Sequence, residues 1–138
     1  LEGAAGAGKT LLLQELASLT GNLDDLLVLH LDDQADSRSL LGAYVCGRSP
    51  GEFKWQPGAL TRAVADGRWV LIENVDLAPA EVLAALAPLL ASRMLPLVER
   101  GETIRAAPGF ALFGTALPGR AAPGQATLLS GLWARVAI

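Results

Sequence analysis

Near its start the chain reads Gly3-Ala4-Ala5-Gly6-Ala7-Gly8-Lys9-Thr10 and passes directly into Leu11-Leu12-Leu13, a helix-forming run. No other feature restricts the fold as strongly. The spacing is that of G-x-x-x-x-G-K-[ST]. Its glycines let successive backbone N–H groups curl around phosphate oxygens, and the helix that follows adds the positive end of its dipole. In such a loop Gly3, Ala4, Ala5, Gly6, Ala7 and Gly8 form the backbone cradle. Lys9 reaches the β- and γ-phosphates, and the Thr10 hydroxyl ligates magnesium, so the expected cofactors are ATP and Mg2+. Lysine is scarce, occurring only at Lys9 and Lys54. The bland alternative is a glycine-rich turn before a helix.

The remaining pattern supplies the sheet such a loop needs. Helical and strand-like segments alternate, which favours an α/β fold with a mostly parallel sheet and helices on both faces. The spacing predicts a helix over Thr10–Leu19 with Leu12, Leu13, Leu16 and Leu19 toward the core. It predicts buried strands at Leu26–Leu31, Trp69–Ile72 and Phe110–Thr115, the short apolar runs typical of parallel sheets. Further helices are expected around Ser39–Tyr44, at Ala59–Ala65 and at Pro79–Leu90, where Pro88 should kink or close the last turn. Met94–Val98 and Thr103–Ala106 flank a turn and read as a hairpin. Pro118–Gly124 reads as a loop, and Leu132–Ile138 as the start of a fourth strand.

Composition sets limits on this reading. With 138 residues, 51% hydrophobic and 18% charged, the chain holds one domain and is not a disordered tail. A net charge of -3 gives no basic patch for nucleic acid. A single cysteine, Cys46, excludes an intrachain disulfide and a cysteine-rich zinc site. The best uncharged stretch, Ala106–Gly119, is broken by Pro108, Gly109, Gly114 and Pro118, so no membrane span is expected. The chain opens on Leu1, with almost nothing before Gly3 to serve as the strand a phosphate loop follows. It therefore reads as a piece of a longer polypeptide, incomplete at both ends and of low stability alone.

A nucleoside triphosphatase also needs an acid at the end of an apolar strand to hold magnesium, followed by an acid that polarises the attacking water. Val70-Leu71-Ile72-Glu73-Asn74-Val75-Asp76 places Glu73 in the metal position, directly or through water, and Asn74 where the general base would stand. An amide orients water but takes no proton, which puts hydrolysis in question. Asp76 is the nearest other carboxylate and need not face the same site. His30, inside an apolar run, reads as a core residue. Asp32 and Asp33 read as a solvated loop, and Cys46 as an unreactive thiol.

Phe53-Lys54-Trp55-Gln56-Pro57-Gly58, then Gly67-Arg68-Trp69 through Glu73-Asn74-Val75-Asp76-Leu77-Ala78-Pro79, resemble the AAA+ modules of the midasin family, dynein-related ATPases of large ribosomal subunit assembly. The resemblance continues through Leu86-Ala87-Pro88-Leu89-Leu90 and Gly101-Glu102-Thr103-Ile104 to Phe110. It implies that residues 1–138 are the α/β subdomain of a P-loop AAA+ module, truncated before its helical lid. Residues 47–58 would then lie in a helix-2 insertion, and residues 94–106 would be the hairpin before the sensor strand. It also implies neighbouring modules in one ring, pre-60S particles and their assembly factors as partners, and a nuclear location. Arg135 falls where related modules carry an arginine that reaches the neighbour's γ-phosphate. Leu117 stands where the sensor strand usually ends in a polar residue, with Thr115 as a partial substitute. Two alternatives stay open: a structural module that binds ATP without hydrolysing it, and a MoxR-type chaperone ATPase, which usually keeps an Asp-Glu pair where this chain has Glu73-Asn74. Phe53, Trp55 and Trp69 are expected to pack together.

Overall fold

The computed structural model describes residues 1–32, 36–120, 131–134 and 136–138. After the loop, helix α1 (Lys9–Leu19) leads to strand β1 (Leu26–His30), a short helix α2 (Ser37–Leu41) and an antiparallel pair, β2 (Gly42–Cys46) and β3 (Phe53–Pro57). Helix α3 (Ala59–Asp66) precedes strand β4 (Trp69–Glu73), and helix α4 (Ala80–Ser92) follows a 3-10 turn at Val75–Leu77. A second antiparallel pair, β5 (Met94–Leu97) and β6 (Glu102–Arg105), comes before β7 (Ala111–Gly114).

β4 lies between β1 and β7, parallel to both, with Leu26 opposite Trp69, His30 opposite Glu73, and Leu71 opposite Phe113. Two further lanes extend the sheet. Glu2 forms parallel bridges to Ala116 on one side and Ala137 on the other. The amide of Glu2 donates to the Val136 carbonyl, and that of Ile138 to the Glu2 carbonyl, both at 2.8 Å. Leu1–Gly3 thus hold the place of the strand before the loop. The expected fourth strand is reduced, among the described residues, to the pairing at Ala137.

Alternation along β4 divides the core. Val70 and Ile72 join Leu60, Val64, Val82, Leu83, Leu86 and Leu89 of α3 and α4 in the main cluster. Leu71, fully buried, points to the opposite face with Trp69, whose ring meets that of Phe113 at 5.0 Å. Burial of β4 on both faces accounts for its unbroken apolar run.

Three expectations are corrected. In α1 the buried residues are Leu13 and Ala17, whereas Leu12, Leu16 and Leu19 are exposed. An eleven-residue helix with so many apolar side chains offers more than one stripe, and periodicity alone does not choose between them. The brief helix ends at Leu41, because Gly42 leaves helical geometry at φ 125° and the chain continues as β2. Within residues 47–58, Phe53–Pro57 form β3. The three aromatic residues do not pack together: Phe53 is exposed, Trp55 meets Tyr44 edge-on at 5.2 Å, and Trp69 lies in the sheet. Pro88 sits inside α4, which runs four residues past it. No helix of the described residues is long and apolar enough to cross a membrane.

Burial predicts unequal costs for two leucines. Leu86→Ala should cost about 2–5 kcal/mol by leaving a cavity between α4 and the sheet, whereas Leu19→Ala should stay within about 0.5 kcal/mol. Urea denaturation of the two variants measures the difference, and equal losses would contradict the orientation of α1.

Candidate functional site

The phosphate-type loop closes at Gly8, which adopts a left-handed conformation at φ 80° immediately before α1. Gly6 does the same at φ 77°, and a Cβ placed on either glycine would meet nothing within 4 Å. Backbone conformation, not crowding, therefore requires glycine there. The first turn of α1 has no side-chain cap and no acidic residue, so its amides and dipole are left to attract an anion. The Lys9 ammonium folds back over the loop and donates to the carbonyls of Gly3 at 2.9 Å and Ala4 at 2.8 Å. A cation held only by neutral carbonyls beside unfilled helix amides fits a polyphosphate.

Thr10, on the first turn of α1, and Glu73, at the end of β4, converge. The threonine hydroxyl donates to Glu73 Oε1. Hydroxyl and carboxylate oxygens side by side are the hard donors suited to a divalent cation that keeps waters and phosphate oxygens as its other ligands. The described residues contain no group of three or more His, Cys, Asp or Glu side chains that would cage a metal without a bound phosphate.

The other Glu73 oxygen has a partner that the sequence did not announce. His30 Nδ1 lies 2.5 Å from Glu73 Oε2. His30 was expected in the core; instead its side chain is 72% exposed while that of Glu73 is 16% exposed. The reason is register: His30 and Glu73 are opposite one another in parallel strands that both end there. The signal available in the sequence was a lone polar residue one position before the end of the first apolar run.

Asn74 turns the chain out of β4 with φ 58°, a left-handed conformation that asparagine tolerates better than most residues. Its backbone N–H donates to the Thr115 hydroxyl at 3.4 Å, and Thr115 itself is buried beneath it. Thr115 therefore supports the Asn74 turn. Asp76, weighed as an outlying carboxylate, is buried, and the guanidinium Nε of Arg120 donates to its Oδ2. The same guanidinium donates through Nη2 to Asn74 Oδ1 at 2.9 Å, and Asn74 Nδ2 approaches the Leu31 carbonyl at 3.5 Å. Arg120 was missed because it follows a Pro-Gly loop with no local pattern to mark it. Leu117 is half-buried. Arg135 and the segment 33–35 lie outside the described residues, as do residues 121–124 of the expected loop; Asp36 caps α2 by accepting from the Arg38 amide at 3.0 Å.

Of the residues expected at the site, the fold thus brings together the loop, Lys9, Thr10 and Glu73, with Asn74 beside them. Known proteins resemble the chain over most of its length. Residues 1–136 match the family described as AAA domain (dynein-related subfamily). The chain is 54% identical over 140 aligned residues to midasin of Dictyostelium discoideum, covering 100% of this chain and 2% of that protein. It is 36% identical over 120 residues to the protein NorQ of Paracoccus denitrificans, covering 86% of this chain and 43% of NorQ. It thus spans less than half the length of either relative. In fold it is similar to the crystal structure of a putative ATPase from Cytophaga hutchinsonii, with a TM-score of 0.65 at 20% identity, over 99% of this chain and 40% of the other. A phosphate-type loop at the head of α1, a strand-end carboxylate against Thr10 and a family match over nearly the whole length lead to one conclusion: the chain belongs to the dynein-related subfamily of AAA domains.

Proposed function

We propose that this chain binds ATP with Mg2+ as one module of a midasin-like AAA+ motor. The observation that carries the reading is the convergence of Thr10 and Glu73 beside the loop that holds Lys9. Lys9 would exchange its two loop carbonyls for β- and γ-phosphate oxygens, and Thr10 and Glu73 would hold the cation, Glu73 directly or through water. The metal, when bound, would neutralise charge on the β- and γ-oxygens. The chain's own residues orient the polyphosphate: loop amides wrap it, and His30 fixes the rotamer of Glu73 from the side away from Thr10.

The likeness to midasin extends the proposal to the whole machine. The module would sit in a ring of linked AAA+ modules in one polypeptide and contribute to ATP-dependent remodelling of pre-60S ribosomal particles, with their assembly factors as partners and the nucleus as location. Residues 47–58 would belong to a helix-2 insertion and residues 94–106 to the pre-sensor hairpin. Arg135 would act on a neighbour's nucleotide. At this site Asn74 offers no general base, which favours a module that holds ATP and turns it over slowly. A second reading, a MoxR-type chaperone ATPase, draws on the similarity to NorQ; the higher identity to midasin over the full chain weighs against it.

Two variants test nucleotide binding. Lys9→Ala should weaken binding of a fluorescent ATP analogue by roughly ten- to a hundredfold, the cost of a charge-assisted phosphate contact, without lowering the melting temperature. Undiminished affinity would remove the loop from the account. Thr10→Val keeps the shape of the side chain and deletes its metal-binding oxygen. Magnesium should then strengthen ATP binding by about tenfold less than in the parent protein, as read by calorimetric titration with and without the metal. An unchanged magnesium effect would place the cation elsewhere.

A further inference from the structure

The position after Glu73 is held by contacts that the nucleotide-binding reading does not require. Asp76 is buried, its side chain 3% exposed, and among the described residues its charge is met by Arg120. A buried carboxylate that loses its partner is strongly penalised, so Asp76 anchors the guanidinium and fixes the direction of its fork. With Nε on Asp76, Nη2 faces Asn74 at 2.9 Å.

That contact settles the orientation of the Asn74 amide on chemical grounds. Guanidinium has donors and no acceptor, so the amide atom facing it must be the oxygen. The other end agrees, because Nδ2 lies toward the Leu31 carbonyl, which only accepts. The amide oxygen is therefore engaged within the chain. A water attacking a phosphorus atom needs an acceptor for one of its hydrogens while its lone pair forms the new bond. The one acceptor atom of the Asn74 side chain is turned to Arg120, which takes one of its two lone-pair sites and fixes its direction.

We propose that Arg120, anchored on Asp76, is a positioning residue that holds the amide oxygen of Asn74 turned toward itself and so keeps the position after Glu73 from orienting a hydrolytic water. The functional part of this inference rests on ATP binding at the loop; the contact itself does not. Arg120→Lys is the informative variant. Lysine keeps a charge against Asp76, preserving the fold, but a single ammonium lacks the planar fork that spans both acceptors.

The experiment has two arms. The chain contains only two asparagines, Asn22 and Asn74, so 15N labelling of asparagine side chains gives two NH2 pairs, assigned by Asn74→Ala. In nucleotide-free protein, Arg120→Lys should accelerate hydrogen exchange of the Asn74 NH2 by about tenfold and leave the Asn22 pair unchanged. In the second arm, Arg120→Lys should raise single-turnover hydrolysis of Mg-ATP by roughly tenfold. The double variant Arg120→Lys, Asn74→Ala should lose that gain, since no acceptor remains to be released. An Asn74 signal insensitive to Arg120→Lys, or turnover that falls, stays level or rises equally in the double variant, would overturn the proposal. Loss of ATP binding in the parent protein would instead refute the nucleotide reading, with the exchange arm still deciding the contact.

Discussion

Parallel pairing of β4 between β1 and β7 is the constraint on which the site depends. It ends β1 and β4 side by side, so His30 and Glu73 meet, and it brings the turn after β4 under Thr115 at the end of β7. The Leu1–Gly3 lane, held against Ala116, sets the loop and the head of α1 on the same edge. Thr10 then reaches Glu73 across 63 positions of sequence. Two apolar layers lock the register: Val70 and Ile72 toward α3 and α4, and Leu71 toward the other face. A slip of one residue would exchange those faces and carry Glu73 away from Thr10.

Much of this was legible in the chain itself. The loop motif identifies Lys9 and Thr10 because each atom type has a fixed task toward phosphate or metal, and the apolar run ending at Glu73 marks a strand end at the carboxyl edge. What the sequence left open was set by tertiary context. Which stripe of α1 is buried depends on the sheet face beneath it, so Leu13 and Ala17 are inside while Leu12 and Leu16 are not. His30 reads as core because the residues on both sides of it are apolar; only the pairing with Glu73 shows that its own side chain faces the open edge. Asp76 and Arg120 are 44 positions apart, and neither carries a local signature of the other. Phe53 and Trp55 belong to a strand hidden in a glycine-rich stretch whose partner begins at Gly42.

The polar groups along this edge divide into two sets of different character. Thr10, Glu73 and His30 form a chain open to solvent at the His30 end, and its Thr10 and Glu73 oxygens are suited to exchanging their mutual hydrogen bond for a metal ion. Asn74, Asp76 and Arg120 form a set anchored on the buried charge of Asp76, suited to holding one arrangement. On the proposed reading, a module with this division would hold nucleotide while Arg120 restrains the position after Glu73.

The central claim is that the loop, Lys9, Thr10 and Glu73 form one Mg-ATP site. A structure of the protein with a non-hydrolysable ATP analogue and Mg2+ tests it most directly. The account predicts that the Lys9 ammonium leaves the Gly3 and Ala4 carbonyls for phosphate oxygens. It also predicts that the metal takes the place of the hydrogen bond between Thr10 and Glu73. Nucleotide bound elsewhere, or Lys9 still on its loop carbonyls with the Thr10–Glu73 hydrogen bond intact, would contradict it.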